Sequence, residues 1–244
     1  MTATNYTPKK LFNNKKAVPK AFNRVAKLYD LATYLSQGYQ IDLDKSAHWL
    51  NLKGDETVLD LCCGTGKSTS ACLKLLPNGK ITGVDNSEGM LEVASKKFDS
   101  EIKEGKVNLF LQDAMSLDLP DESYDAVFTA YGLRNMPDFD LFLKGVHGVL
   151  KSGGKIGIHD YSLKSNGWAK TYWKVLGYGF IVPFCTVLTG SSTIFRYLIK
   201  SVVNFLPPEK IVELLEKNGF KDVQIHEHSS WRKPILHTIT AVKI

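Results

Sequence analysis

Cysteine is scarce in this chain and poorly placed for bridging or for metal. Its four cysteines, Cys62, Cys63, Cys72 and Cys185, show neither Cys-x-x-Cys nor mixed Cys/His ligand spacing. That excludes a disulfide scaffold and a structural zinc site, leaves no metal to be expected, and suits a reducing, cytoplasmic compartment. An uninterrupted apolar run is also missing. Residues 175–195 carry no charge, but Gly177, Gly179, Pro183, Gly190, Ser191 and Ser192 break them up, whereas a membrane span needs about 20 predominantly apolar residues. No apolar stretch follows the N-terminal lysines, so no secretory signal is expected, and the lack of Arg and Ser enrichment argues against a transit peptide. Internal repeats and low-complexity segments are absent too.

Acid is missing from residues 1–29, which hold Lys9, Lys10, Lys15, Lys16, Lys20, Arg24 and Lys27. The other 24 basic residues face 25 acids, so a +7 arm precedes a body of −1. A body without excess positive charge argues against nucleic acid. A basic arm on a near-neutral body suits the surface of an anionic membrane, or else a solvated tail. At 244 residues the chain is long enough for one α/β domain with a sizeable core. We expect a basic arm over residues 1–18 and a single domain over 19–244. Nothing in the sequence speaks to oligomeric state.

What is present is a repeated alternation of strand and helix. Residues 57–61 are β-branched and apolar enough for a buried parallel strand, and after Gly66 the apolar residues Ala71, Leu75 and Leu76 recur at helical spacing. Further strands are expected at 80–85, 107–111, 125–130, 156–159, 223–228 and 235–242. Helices are expected at 21–36, 44–50, 86–98, 139–150 and 209–218. This pattern predicts a Rossmann-like, seven-stranded, mostly parallel sheet with an antiparallel last strand and helices on both faces. Residues 161–206 stand outside the alternation and concentrate aromatic residues, including Trp168, Tyr172, Trp173, Tyr178, Phe180 and Phe184. We expect them to form an apolar lid over a cleft.

The first strand runs into Asp60-Leu61-Cys62-Cys63-Gly64-Thr65-Gly66-Lys67-Ser68, a small-residue turn opening a helix. Such a turn brings backbone N–H groups to a polar ligand. A P-loop would need a glycine five residues before its second glycine, which is absent; a dinucleotide fingerprint would need glycine at position 69, which is Thr69. ATP and NAD are therefore disfavoured. The second strand ends in Asp85, about twenty residues beyond the turn, where a carboxylate can take both hydroxyls of a ribose.

Asp60 to Gly66, then Gly83-Val84-Asp85, then Gln112-Asp113-Ala114 resemble the first three motifs of class I S-adenosylmethionine-dependent methyltransferases. Tyr131-Gly132-Leu133-Arg134-Asn135, Tyr29-Asp30 and Phe195-Arg196-Tyr197-Leu198 resemble, more narrowly, the ubiquinone/menaquinone C-methyltransferase family. The resemblance implies S-adenosyl-L-methionine as cofactor and S-adenosyl-L-homocysteine as product, with Asp60, Gly64, Thr65, Gly66, Asp85, Met90, Asp113 and Ala114 as binding residues. It implies C-methylation of a polyprenylated quinol precursor, a hydrophobic small molecule, by a cytoplasmic or peripheral-membrane enzyme. The alternative is O- or N-methylation of another lipid-like or aromatic molecule. It also places Tyr29 over the cofactor. Cys62-Cys63 and His159-Asp160-Tyr161 depart from the family pattern.

For a quinol, ionising a ring hydroxyl puts carbanion character on the adjacent carbon, and a neighbouring cation favours that ionisation. Arg134 cannot act as a base at ordinary pH, so it is assigned to the oxyanion, with Asn135 orienting the ring oxygen. An ion pair of Arg134 with Asp138 or Asp140 is the competing expectation. Asp160, Tyr161, His159 and Tyr29 remain candidates for the proton acceptor.

Overall fold

A computed structural model describes residues 37–165, 167–189 and 192–244. The expected helix at 21–36, the basic arm and Tyr29 lie outside the described residues. Seven strands form one sheet: β1 Thr57–Leu61, β2 Lys80–Asp85, β3 Val107–Leu111, β4 Tyr124–Ala130, β5 Leu150–Tyr161, β6 Phe220–Glu227 and β7 Leu236–Lys243, in the order β3-β2-β1-β4-β5-β7-β6. β1 to β5 pair in parallel, and β7 runs antiparallel to both β5 and β6.

The period of two along β1 divides its side chains between two cores. Val58 packs with Leu43, Ala71 and Ile81 on one face, whereas Leu59 and Leu61 pack with Phe142, Val146 and Ile156 on the other. Asp60 faces the first side and is fully buried there. The first face is covered by α1 Gln37–His48, α2 Lys67–Leu73 and α3 Glu88–Lys97; α4 Asp99–Lys103 follows, and α5 Phe139–Val149 lies on the second face.

Local signals set the helix ends. Ser87 caps α3 by accepting from Met90 N at 3.4 Å, and Asp138 caps α5 by accepting from Leu141 N at 3.0 Å. Each such cap contributes about 1 kcal/mol.

Residues 161–206 fold as α6 Gly167–Leu176, a π turn Gly177–Ile181, α7 Val182–Thr189 and α8 Thr193–Val203, before α9 Pro208–Lys217. Pro208 at the first position fits α9, and Gly219, at φ +85°, ends the turn that follows. Part of the aromatic segment is core: Trp173, Phe195, Ile199 and Val202 are buried, and Trp173 Nε1 donates to Ile199 O at 3.2 Å. The remainder faces outward, with Trp168, Val175, Phe180, Phe184 and Val187 exposed.

Candidate active site

The turn after β1 is held open by its own backbone. Cys63 N donates to Val84 O at 3.1 Å and Gly66 N to Cys63 O at 2.9 Å, and this folding places Cys62 at φ 61° and Gly64 at φ 55°. A Cβ at Gly64 would meet no atom within 4 Å. The glycine therefore opens a cradle where a ligand can lie against the main chain. Asp85 closes it: Oδ2 accepts from Gly64 N and Oδ1 from Ser87 N, both at 2.9 Å. Burial pushes the Asp85 carboxyl up while those N–H groups pull it back.

Asp60 sits behind the turn. Its Oδ2 accepts from Ser68 Oγ at 2.7 Å and Thr69 Oγ1 at 2.6 Å, tying β1 to the first turn of α2, whereas Oδ1 has no hydrogen-bond partner among the described residues. Desolvation pushes Asp60 up to about 7, against the pull of the two hydroxyls. Burial also pushes the Cys62 and Cys63 thiols well up, so neither is a nucleophile at neutral pH.

These groups border a cavity of about 620 Å³, within the range of small-molecule sites. Gly64, Thr65, Asp85, Met90, Asp113 and Ala114 line it on the side of the glycine turn, and Arg134 and Asn135 line the far wall. Asp60, Gly66 and Asp160 stand behind the lining. Asp113 is exposed and accepts from Met115 N at 3.0 Å. None of the described residues in 161–206 borders the cavity. They reach its wall from behind, where Tyr197 donates to Asn135 Oδ1 at 2.7 Å and Tyr161 packs on Tyr131 with ring centroids 5.3 Å apart.

The far wall is a sharp turn at the end of β4. Tyr131 takes φ 58°, and Gly132 must be glycine, since a Cβ there would lie 2.7 Å from Cys62 Cβ and 2.9 Å from its sulfur. A single 3-10 turn, Leu133–Asn135, then carries the two polar residues. Arg134 pairs with neither Asp138 nor Asp140. Asp138 caps α5, and Asp140 is held by Lys217 and Asn218. The guanidinium instead meets Asp160, Nη1 to Oδ1 at 2.5 Å, with both side chains buried. Burial pushes the Asp160 carboxyl up and Arg134 opposes it. Asp160 is thus buried and paired, and it is not among the residues that line the cavity.

The residues present suit a nucleoside sulfonium: an open glycine cradle, a carboxylate at the end of β2, and Met90 and Ala114 for the apolar faces of the base. Comparison with known proteins settles the family, because residues 9–238 match the ubiE/COQ5 methyltransferase family. The chain belongs to that family. It is 36% identical over 229 residues to the demethylmenaquinone methyltransferase of Lactobacillus johnsonii, covering 92% of this chain and 91% of that one. It is 32% identical over 221 residues to the enzyme of the same name from Staphylococcus aureus, covering 87% and 88%. Among solved structures, a methyltransferase dependent on S-adenosylmethionine from Aquifex aeolicus superposes with a TM-score of 0.60 at 18% identity, covering 83% of this chain and 90% of that one. Phosphoethanolamine N-methyltransferase 2 of Haemonchus contortus, solved with S-adenosylhomocysteine, gives 0.58 at 19% identity, covering 79% and 49%. These two likenesses show the fold. The protein is thus a methyltransferase that uses S-adenosylmethionine, as its motifs imply.

Two aromatic residues of the methyltransferase's cleft escaped the sequence reading of the site. Tyr39, on α1, borders the cavity and stacks on Tyr131 at 4.9 Å, with Lys67 Nζ 5.9 Å from its ring centroid. Tyr131 was visible as the first residue of Tyr-Gly-Leu-Arg-Asn, the one signal that could have marked it.

Proposed function

We propose that the methyltransferase C-methylates a polyprenylated quinol precursor of the menaquinone or ubiquinone type. The observation that carries this reading is the wall facing the cofactor cradle, where the stacked pair Tyr39 and Tyr131 lies beside Arg134 and Asn135. Stacked aromatic faces suit a flat ring, and a guanidinium and an amide suit ring oxygens. The relatives named demethylmenaquinone methyltransferase support the same substrate class.

When bound, S-adenosylmethionine supplies a methyl group already activated on sulfur. The chain's part is to position and to move a proton. Asp85 accepts from the ribose hydroxyls, Asp113 and Ala114 hold the adenine edge, Thr65 and Met90 flank the nucleoside, and Asp60 with Gly66 shapes the turn from behind. Arg134 and Asn135 orient the ring oxygens, and Asp160 keeps Arg134 in place. Tyr29, outside the described residues, joins this set only on the resemblance.

The outward aromatic pairs of α6, the π turn and α7, where Trp168 stacks on the half-buried Tyr172 at 5.4 Å and Phe180 on Phe184 at 5.6 Å, support contact of this face with a lipid surface. The basic arm of residues 1–18 would add attraction to anionic lipid. No helix among the described residues is long and apolar enough to cross a membrane. The deciding experiment is turnover on demethylated quinols with and without a prenyl tail, with the methylated position determined by mass and NMR. Methylation at a ring carbon, faster with the tail, is expected. Methylation at oxygen, or indifference to the tail, overturns the proposal. Vesicle binding by the full chain and by one lacking residues 1–18, at low and high salt, tests the arm.

A further inference from the structure

A line of buried polar groups leads away from the cleft. Tyr131, which borders the cavity, has its hydroxyl 2.9 Å from His159 Nε2. His159 Nδ1 lies 2.8 Å from Ser46 Oγ and 2.9 Å from Thr238 Oγ1. Thr238 Oγ1 is 2.9 Å from His228 Nε2, and His228 Nδ1 is 3.1 Å from Asp42 Oδ1. Asp42 also meets Arg232, Nε to Oδ2 at 2.6 Å. Asp42, Ser46, His159, His228 and Thr238 are each at most 2% exposed. Five separate segments, α1, the ends of β4 and β5, the stretch after β6, and β7, converge to build this line.

We assign its protons from donor and acceptor roles. Asp42, paired with Arg232, accepts, so His228 carries a proton on Nδ1. His228 Nε2 is assigned as the acceptor and the Thr238 hydroxyl as its donor. The Ser46 hydroxyl has two acceptors besides His159, the Asp42 backbone carbonyl at 2.6 Å and Thr238 Oγ1 at 2.8 Å. With both hydroxyl protons assigned to those partners, Nδ1 of His159 is its N–H and Nε2 its acceptor, and Tyr131 donates to it. Burial and the neighbouring His228 and Arg134 push His159 well below the ordinary imidazole range, which keeps it neutral at rest. The left-handed backbone at Tyr131 and its stacking on Tyr39 hold the ring in this aim.

We propose that Tyr131, His159, Thr238 and His228 form a proton relay that receives the proton lost by the acceptor ring on methylation. It rests on the reading of the enzyme as a ring-carbon methyltransferase. The ring carbon gains the methyl group, and its C–H bond breaks as the ring becomes aromatic again. That proton passes to the Tyr131 oxygen, the Tyr131 proton to His159 Nε2, the His159 Nδ1 proton to Thr238 Oγ1, and the Thr238 proton to His228 Nε2. The one net change is an imidazolium at His228, beside the Asp42 carboxylate that stabilises it. After the product leaves, the same hops in reverse return the proton to water in the cleft. Tyr131 is the catalytic end of the relay; His159, Thr238 and His228 act through it.

The test uses the full chain and two independent readings. In nitrogen-15 spectra of histidine-labelled protein, both His159 and His228 should carry their proton on Nδ1; a proton on Nε2 of His159 overturns the relay whatever the activity. In steady-state methylation of a demethylated quinol, Tyr131→Phe and Thr238→Val should each lower kcat roughly 100-fold, with KM and the cofactor dissociation constant within about twofold. Thr238→Ser, which keeps the hydroxyl, should restore most of the rate. A Thr238→Val variant as fast as Thr238→Ser overturns the relay, as does an unimpaired Tyr131→Phe. If the unaltered chain methylates no quinol carbon, the fault lies with the proposed function, and the nitrogen spectra decide the relay by themselves.

Discussion

Asp160 grips Arg134 at two points, accepting from its guanidinium Nη1 at 2.5 Å and from its backbone N–H at 3.2 Å. The cation proposed to orient the quinol oxygen is thus already matched by a buried anion. It acts less as a free positive charge than as a rigid, neutralised donor. Removing Arg134 leaves the Asp160 carboxylate buried without this counter-ion.

Arg134→Ala should therefore cost about 3–5 kcal/mol of folding stability, readable by chemical denaturation. Arg134→Lys keeps the charge but not the planar fork. It should retain cofactor affinity and lose most turnover. A Lys variant that turns over normally would reduce Arg134 to a structural role.

Asp85→Ala should weaken S-adenosylmethionine binding roughly ten- to a hundredfold, since hydrogen bonds to a charged acceptor contribute about 1.5–3 kcal/mol. Titration calorimetry reads this directly, and NAD should not compete. Unchanged affinity would remove Asp85 from the ribose site.

Asp60 makes stability depend on pH. Its folded value of about 7 stands above the ordinary 3.8, so between those limits the folded chain holds a proton that the unfolded chain has lost. The contribution is complete below 3.8 and disappears as pH rises through about 7, at most on the order of 4 kcal/mol. Denaturation of the chain without cofactor should show stability falling from pH 4 to 7, with the slope much reduced in Asp60→Asn. An identical slope in the variant would contradict the shift.

Gly132→Ala should strain the far wall, because the new methyl would press on Cys62 and, at 3.0 Å, on Thr129 Oγ1. Overpacking of this kind costs about 1–3 kcal/mol. Because Cys62 borders the cofactor cradle, the variant should also bind the cofactor more weakly. Thermal melts with and without S-adenosylmethionine separate the two effects.

Much of the sheet was readable because buried parallel strands are short apolar runs: β1, β2 and β3 begin and end where the sequence places them. α1 begins seven residues earlier than expected. Gly38 lies inside the helix, where a Cβ would collide with the Arg232 guanidinium. β5 is longer than expected because residues 151–155 continue the strand, with Gly153 at φ 73°. Gly64, Thr65, Asp85, Asp113 and Ala114, which line the cavity, each belong to one local motif. Partnerships such as Arg134 with Asp160, or His159 with Thr238, join segments 26 and 79 residues apart and leave no local pattern. Asp160, expected just past the fifth strand, lies within β5 and meets a guanidinium that its own surroundings in the sequence do not announce.

β7 follows β6 in the chain, yet it slots between β5 and β6 rather than adding at an edge. The strands whose ends line the cavity, β3-β2-β1-β4, are all present once residue 130 has been made, whereas Thr238 arrives more than a hundred residues later. Until then β5 offers an open ladder of N–H and C=O groups. A growing chain can therefore acquire its nucleoside pocket well before it acquires the strand that seals β5, and the two halves of the sheet should gain protection from hydrogen exchange at different times during refolding.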